Sequence, residues 1–156
     1  MSMITKGSPS ETWKFGTQER VARGTPIALK ASVTAVAGAR RYTTMRAFRA
    51  SAGYQVTAGK TLIITRLIYA ADTASVWWHF EDGTDDIGQN SATAPASAVN
   101  NDGSITLDGD NSLNATTAVT TYERDYYMEV PAGRYLAVTH TNGNVLLRVH
   151  AFGVEI

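Results

Sequence analysis

The acidic stretch 81–86 has the carboxylate spacing closest to a metal-binding pattern in this chain. Asp82, Thr84 and Asp86 alternate as the first ligands of a calcium-binding loop do, but no glutamate follows at the distance that closes such a loop. An Asp-Gly pair such as Asp82-Gly83 is equally favoured in an ordinary turn. We therefore predict no bound metal ion and no cofactor.

The three histidines are the other candidate ligands: His79, His140 and His150. A metal site in a cupin-like barrel needs a close His-x-His cluster, which the sequence lacks. A hairpin turn at Asn142-Gly143 would place His140 opposite Val145 and leave His150 well away from it. The sequence therefore predicts ordinary sheet histidines rather than ligands.

Catalytic signatures are missing from the sequence. It contains no nucleophile elbow, no phosphate-binding loop and no Gly-x-Gly-x-x-Gly, and the absence of cysteine excludes thiol nucleophiles and disulfides. Glycoside cleavage needs two catalytic carboxylates at a fixed separation. The candidate pair would be Asp85 or Asp86 with Asp108 or Asp110. Carboxylates in loops are usually solvated, so we predict that the protein is not an enzyme.

Two aromatic pairs form a candidate surface patch: Trp77 with Trp78, and Tyr126 with Tyr127. Because side chains alternate across a strand, one member of each pair should lie in the core and the other outside. An exposed Trp and an exposed Tyr on adjacent strands could stack on sugar rings. A subunit interface would explain the same residues equally well.

The elements that must position these side chains are strands. Alternating or apolar runs cover residues 27–34, 40–48, 62–71, 75–81, 125–130, 134–141 and 144–155. No amphipathic helix is evident, and the run 62–71 is apolar on both faces, which is typical of a central strand. Residues 82–121 are predicted to be a polar, loop-rich insertion.

One turn motif occurs twice in the chain. The segment 56–62 (VTAGKTL) recurs as 130–136 (VPAGRYL), and each copy leads into an apolar run. The glycine supplies the positive φ that such a turn needs, and Asn142-Gly143 is a strong hairpin signal. These features predict an all-β fold, an antiparallel jelly-roll-like sandwich with an extended N-terminal arm.

The domain organisation follows from composition and charge. Residues 1–25 are predicted to be the extended arm and residues 26–156 a single β-sandwich domain. Up to Arg49 nine cationic residues stand against two acidic ones, and from residue 50 five stand against twelve. Chance with internal neutralisation is one explanation; a basic arm lying on an acidic neighbour is the other. The arm residues expected to bind a partner are Trp13, Lys14, Phe15, Arg20 and Arg23.

Other partner classes are disfavoured by the sequence. The basic strand 40–49 includes aromatic residues, but a nucleic-acid-binding domain normally carries a net positive charge and this chain has none. The longest apolar runs, 67–71 and 145–147, are too short to span a bilayer. No basic-then-apolar leader opens the chain. We predict a soluble protein made in the host cytoplasm, without a nucleic-acid or membrane partner.

The repeated corners 56–62 and 130–136, the Asn142-Gly143 turn and the Gly/Thr/Ala-rich β-body resemble the small jelly-roll cement, or head-decoration, proteins of tailed bacteriophages. The resemblance covers about residues 50–156. It implies a homotrimer that binds capsid protein subunits in the virion and stabilises the shell, with N-terminal arms reaching to adjacent subunits. The alternative is a receptor- or carbohydrate-binding module of a phage tail fibre or spike.

Overall fold

The structure, a computed structural model, describes residues 23–73, 76–100, 113–115, 120–141 and 143–156. Ten strands lie in these ranges: β1 (Thr25–Thr34), β2 (Arg41–Thr44), β3 (Arg46–Ala47), β4 (Thr61–Ala71), β5 (Val76–Gly83), β6 (Val99–Asn100), β7 (Leu113–Ala115), β8 (Tyr122–Pro131), β9 (Tyr135–His140) and β10 (Leu146–Glu155). Within these ranges, no helix has the length and apolar character that crossing a membrane requires.

The strands form two antiparallel sheets. The first sheet has the order β3-β1-β10-β4-β8. The second has the order β2-β9-β5-β6, and β7 also pairs with β5. Since β6 pairs with Glu81 and Asp82 while β7 pairs with residues 76–78, these two short strands share one position along β5.

The pairing of the strands is that of a jelly roll. If the two-residue β3 is set aside and β6 and β7 count as one position, eight strands remain. The first pairs with the last, the second with the seventh, the third with the sixth and the fourth with the fifth. This nesting describes one long antiparallel ribbon rolled into two facing sheets. The predicted all-β, antiparallel jelly-roll-like sandwich is confirmed.

The core lies between the two sheets and is filled by alternate residues of each strand. Its largest fully buried apolar side chains are Trp78, Phe80, Leu29, Met45, Leu62, Ile64, Leu67, Leu136 and Leu147. Three rings pack edge to face at its centre: the Tyr69–Trp78 centroids are 5.0 Å apart and the Trp78–Phe80 centroids 5.1 Å. Edge-to-face contact is the arrangement that aromatic quadrupoles favour, so these rings help to fix how the sheets face each other.

The single strand predicted over residues 40–48 is divided at Met45. β2 belongs to the second sheet and β3 to the first, so the chain crosses the sandwich between them. Fully buried Met45 donates its N–H to the carbonyl of Leu136 (2.7 Å) and accepts a hydrogen bond from Tyr54 (2.8 Å). Alternation along the sequence could not reveal this crossing, because both halves keep a period of two.

β4 is an interior strand, as its two apolar faces predicted, but its side chains do not alternate strictly along its whole length. A bulge between Ile64 and Arg66 shifts the register at Thr65. Leu67 therefore continues the core face of Ile64, while Arg66 and Ile68 point outward with their partners on β10. An extra residue at a bulge reverses the alternation beyond it.

The predicted hairpin at Asn142-Gly143 is wrong. β9 and β10 lie in different sheets, and β10 pairs instead with β1 and β4. Gly143 bridges to Ala35 in the corner between β1 and β2, and a Cβ at Gly143 would lie 2.4 Å from the Cα of Ala37. The glycine is thus required by the close approach of two corners rather than by a type I′ turn.

The two copies of the repeated motif lie side by side and are joined by backbone hydrogen bonds. In both turns the glycine has a positive φ, 75° at Gly59 and 78° at Gly133. Val56 donates its N–H to the carbonyl of Arg134 (3.0 Å) and accepts one from Gly133 (2.8 Å). Glu155 holds the first turn by accepting the N–H of Thr57 (2.7 Å). The two copies of the motif therefore form the same type of glycine turn in two chain segments that lie next to each other.

Candidate protein-binding interface

The acidic stretch 81–86 serves the fold. The guanidinium of Arg134 forms an ion pair with buried Asp82 and also donates to the carbonyl of Ser97 (2.6 Å). The carboxylate of Asp85 accepts the N–H of Ala96 (2.6 Å). These bonds tie the loop that follows β5 back onto the second sheet.

Asp86 completes the attachment of that loop. Its carboxylate accepts the N–H groups of Gly53 (2.7 Å) and Gly88 (2.9 Å). Burial alone would raise the pKa of Asp86, but these bonds and the Thr44 hydroxyl stabilise the charged form, and its pKa is lowered overall. No three potential metal-ligating side chains cluster in the described part of the chain; Asp108 and Asp110 lie outside it.

The histidines occupy unlike environments. His140 is buried and places Nε2 3.1 Å from the carbonyl of Val33, so it links β9 to β1 across the sandwich. Burial is the main cause of its lowered pKa. His79 Nε2 lies 3.1 Å from a carboxylate oxygen of Glu81 on the outer face of the second sheet. His150 lies on the first sheet, opposite Lys30.

The four aromatic residues predicted as a patch are not brought together. Trp78 is 1% exposed and Trp77 is 47% exposed, while Tyr126 packs against the core and Tyr127 is exposed. Trp77 belongs to β5 of the second sheet and Tyr127 to β8 of the first. Since each points away from the core, the two exposed members lie on different faces of the sandwich.

Most of the predicted arm site lies outside the described residues, namely Trp13, Lys14, Phe15 and Arg20. Arg23 is exposed and stands just before β1. β1 begins at Thr25, which is opposite Glu155. The described residues before β1 thus lie at the end of the sandwich that carries the two repeated corners.

The outer face of the first sheet carries a cluster that sequence reasoning did not single out. We call it the aromatic–cationic face; it consists of Lys30, Phe48, Arg66, Arg148, His150 and Phe152. Alternation turns the cationic and aromatic residues of β1, β4 and β10 outward, and the register sets Lys30 opposite His150 and Phe152 opposite Arg66. The turn after β3 adds Phe48.

The rings of this face contact one another edge to face. The Phe48 centroid lies 5.1 Å from that of His150 and 6.4 Å from that of Phe152. Two cations cover the outer rings: Lys30 Nζ is 5.8 Å from the Phe48 centroid, and Arg66 Cζ is 5.3 Å from the Phe152 centroid. Phe48 is nevertheless 44% exposed, so the cluster presents an apolar surface framed by positive charge.

The charge on this face is only partly compensated. Arg66 pairs with Glu123 of β8 at 2.9 Å. Neither Lys30 nor Arg148 forms an ion pair with any residue that the structure describes. Burial, and then the nearby charge of Lys30, lower the pKa of His150, so its ring is neutral at neutral pH. Within the described residues the positive charge of this face is therefore unpaired at Lys30 and Arg148, whereas Arg66 is paired with Glu123 and lies opposite Asp125 in register.

A cavity of about 150 Å³ opens beside the ring cluster. It is lined by Ile68, Tyr69, Ala70, Thr121, Arg148 and His150. Arg148 and Ala70 are cross-strand neighbours, and the small alanine leaves room next to the long arginine. Strand alternation puts Arg148, His150 and Phe152 on one side of β10, and the register with β1 and β4 determines what lies next to them.

Comparison with known proteins adds little to this site. No family model and no curated protein matches the chain. One solved structure, that of infectious bursal disease virus Gx strain, contains a chain with 12% sequence identity and a TM-score of 0.38. The match covers 85% of this chain and 30% of that chain. We infer neither fold nor function from a match with this identity and TM-score, and the jelly-roll assignment depends only on the strand pairing.

Proposed function

We propose that this protein is a non-enzymatic virion structural protein, a cement or decoration protein that binds an assembled capsid shell and stabilises it. The observation that carries the proposal is the aromatic–cationic face. Exposed aromatic rings and arginines are the residues that dominate protein–protein interfaces. Here Arg66, Arg148 and Phe152 stand on β4 and β10, which are paired on both sides, and Phe48 is added by the turn after β3.

The chemistry of the face defines its partner. Lys30 covers the ring of Phe48 and Arg148 lines a cavity, and neither forms an ion pair with a described residue. A partner that brings acidic and apolar side chains would pair these cations and cover the exposed ring. Complementary charge of this kind raises the rate of association and selects the partner. We therefore assign the face to an acidic, apolar surface of the capsid subunits.

The N-terminal arm would supply a second attachment. Its basic and aromatic residues, Trp13, Lys14, Phe15, Arg20 and Arg23, suit the acidic surface of an adjacent subunit, as the resemblance to decoration proteins implies. A homotrimer at a local threefold position would present three such arms. Linked weak contacts gain effective concentration, so the arm and the face together would bind more tightly than either alone.

Sedimentation with shells tests this function. Shells assembled from the major capsid protein of the same genome should carry the wild-type protein to the pellet saturably and should melt at a higher temperature with it. Lys30→Glu should weaken binding because it reverses the charge beside Phe48. Trp77→Ser, on the outer face of the other sheet, is the control and should bind normally. Wild-type protein that stays in the supernatant would overturn the proposal.

The alternative, a receptor- or carbohydrate-binding module, depends on one patch of exposed Trp and Tyr. The structure buries Trp78 and places Trp77 and Tyr127 on different sheets. Nothing in the described part of the chain therefore favours that function over shell binding. A glycan array with the wild-type protein and a Trp77→Ala variant distinguishes the two: binding that depends on Trp77 would favour the module.

A further inference from the structure

We propose that the cavity lined by Arg148, His150, Thr121, Ile68 and Ala70 is a binding site for a single carboxylate side chain, an Asp or Glu supplied by a protein partner. The identity of that partner as a capsid subunit rests on the proposed function. The site itself rests on the geometry of β4 and β10.

The volume of the cavity decides the size of the ligand. Cofactors and drug-sized ligands occupy pockets of roughly 300–1,000 Å³, whereas this cavity has about 150 Å³. Its volume therefore suits one side chain and is too small to enclose a whole nucleotide or oligosaccharide. The apolar side chains of Ile68 and Ala70 can pack against the methylene groups that carry an acidic headgroup.

The polar residues of the lining select an anion. Arg148 offers a planar set of N–H donors that matches a carboxylate, and Thr121 offers a hydroxyl. His150, neutral at neutral pH, contributes one further N–H without adding a charge. Lysine would serve less well than Arg148 here, because an ammonium is a point charge and cannot form the two parallel bonds.

The charged groups around the cavity leave Arg148 available. Lys30 approaches from β1 and adds positive charge, and Arg66 approaches from β4. Two acids lie near Arg148 in register: Asp72, which is opposite Leu146, and Glu123 of β8, which is opposite Ile68. The carboxylate of Asp72 accepts the N–H of Leu146 (3.0 Å) and Glu123 pairs with Arg66 at 2.9 Å, so within the described residues no carboxylate forms an ion pair with Arg148.

An NMR titration of the full chain tests the site, with N-acetyl-aspartate α-amide as the probe and the asparagine analogue as control. The aspartate probe should shift the signals of Arg148, His150, Ala70 and Thr121 saturably, with a Kd on the order of millimolar. The asparagine analogue should bind about tenfold more weakly, since hydrogen bonds to charged groups are the stronger ones. Equal shifts with both probes would overturn the proposal.

Two variants separate this site from general attraction to a positive surface. Arg148→Gln should abolish saturable binding of the aspartate probe, while Arg49→Gln, which removes an equal charge from an exposed turn, should leave it intact. Loss with both variants, or with neither, refutes the site. If the probe binds as expected but the protein does not sediment with shells, the site stands and the proposed function alone fails.

Discussion

Removing the guanidinium of Arg134 should destabilise the protein far more than removing the equivalent cation of the other corner. Arg134 is paired with Asp82, which is 2% exposed, and it also donates to the carbonyls of Asp82 (3.2 Å) and Ser97 (2.6 Å). An Arg134→Met variant keeps the apolar stem but leaves a buried carboxylate without its partner. Breaking a buried pair in this way costs about 3–5 kcal/mol of unfolding free energy.

The repeated motif provides the matched control. Lys60 occupies in the first corner the position that Arg134 occupies in the second, but it is exposed and forms no ion pair with the described residues. Lys60→Met should therefore change the unfolding free energy by less than about 0.5 kcal/mol. A double variant, Asp82→Leu with Arg134→Met, should recover much of the loss, because an apolar pair replaces the buried charges.

Urea unfolding followed by tryptophan fluorescence measures all three variants. For a chain of this length each kcal/mol corresponds to about 2–4 °C in melting temperature, so Arg134→Met should also melt well below the wild type. If Arg134→Met and Lys60→Met proved equally mild, the ion pair would not hold the loop to the corner. The structural reading of the acidic stretch would then be refuted.

Three further predictions concern other contacts. Gly143→Ala should cost about 1–3 kcal/mol in urea unfolding, since its Cβ would meet the backbone of Ala37; an unchanged midpoint would contradict the close approach of the corners. Burial alone would raise the pKa of Glu155, but hydrogen bonds from Thr57 and Tyr54 lower it below 4.5. Its stabilisation is complete above pH 4.5 and is lost as the pH falls through the lowered value, so Glu155→Gln should flatten the stability profile there. Phe48→Ala should raise the pKa of His150 towards 6.5 in an NMR titration, because the ring contributes to its burial; no change would show that other residues cause it.

Local signals in the sequence predicted the two repeated turns and the positions of most of the long strands. Gly59 and Gly133 stand in turns that need positive φ, and a short motif specifies such a turn without help from the rest of the chain. Alternation located β1 and the interior strand β4 for the same reason. In each case the determining contacts lie within a few residues.

Pairing between distant segments was not predictable in the same way. Asn142-Gly143 lies between two alternating runs and favours a hairpin locally, but β10 gains two long apolar neighbours when it inserts between β1 and β4. Burial on an interior strand outweighs a turn preference of about 1 kcal/mol. The aromatic–cationic face was missed for the same reason, since Phe48 and His150 are 102 positions apart and meet only through the register of three strands.

The two outer faces of the sandwich differ in a way that favours the first sheet as the docking surface. On the second sheet, Ala137 and Thr139 point away from the core and are still fully buried. The loop after β5 pairs with β2 there, through Tyr42 and Ser91, and its carboxylates are bonded to the chain. Ala137 and Thr139 of that face are therefore already covered by the protein. On the first sheet Phe48 is 44% exposed, so a partner that binds there displaces water from an exposed ring.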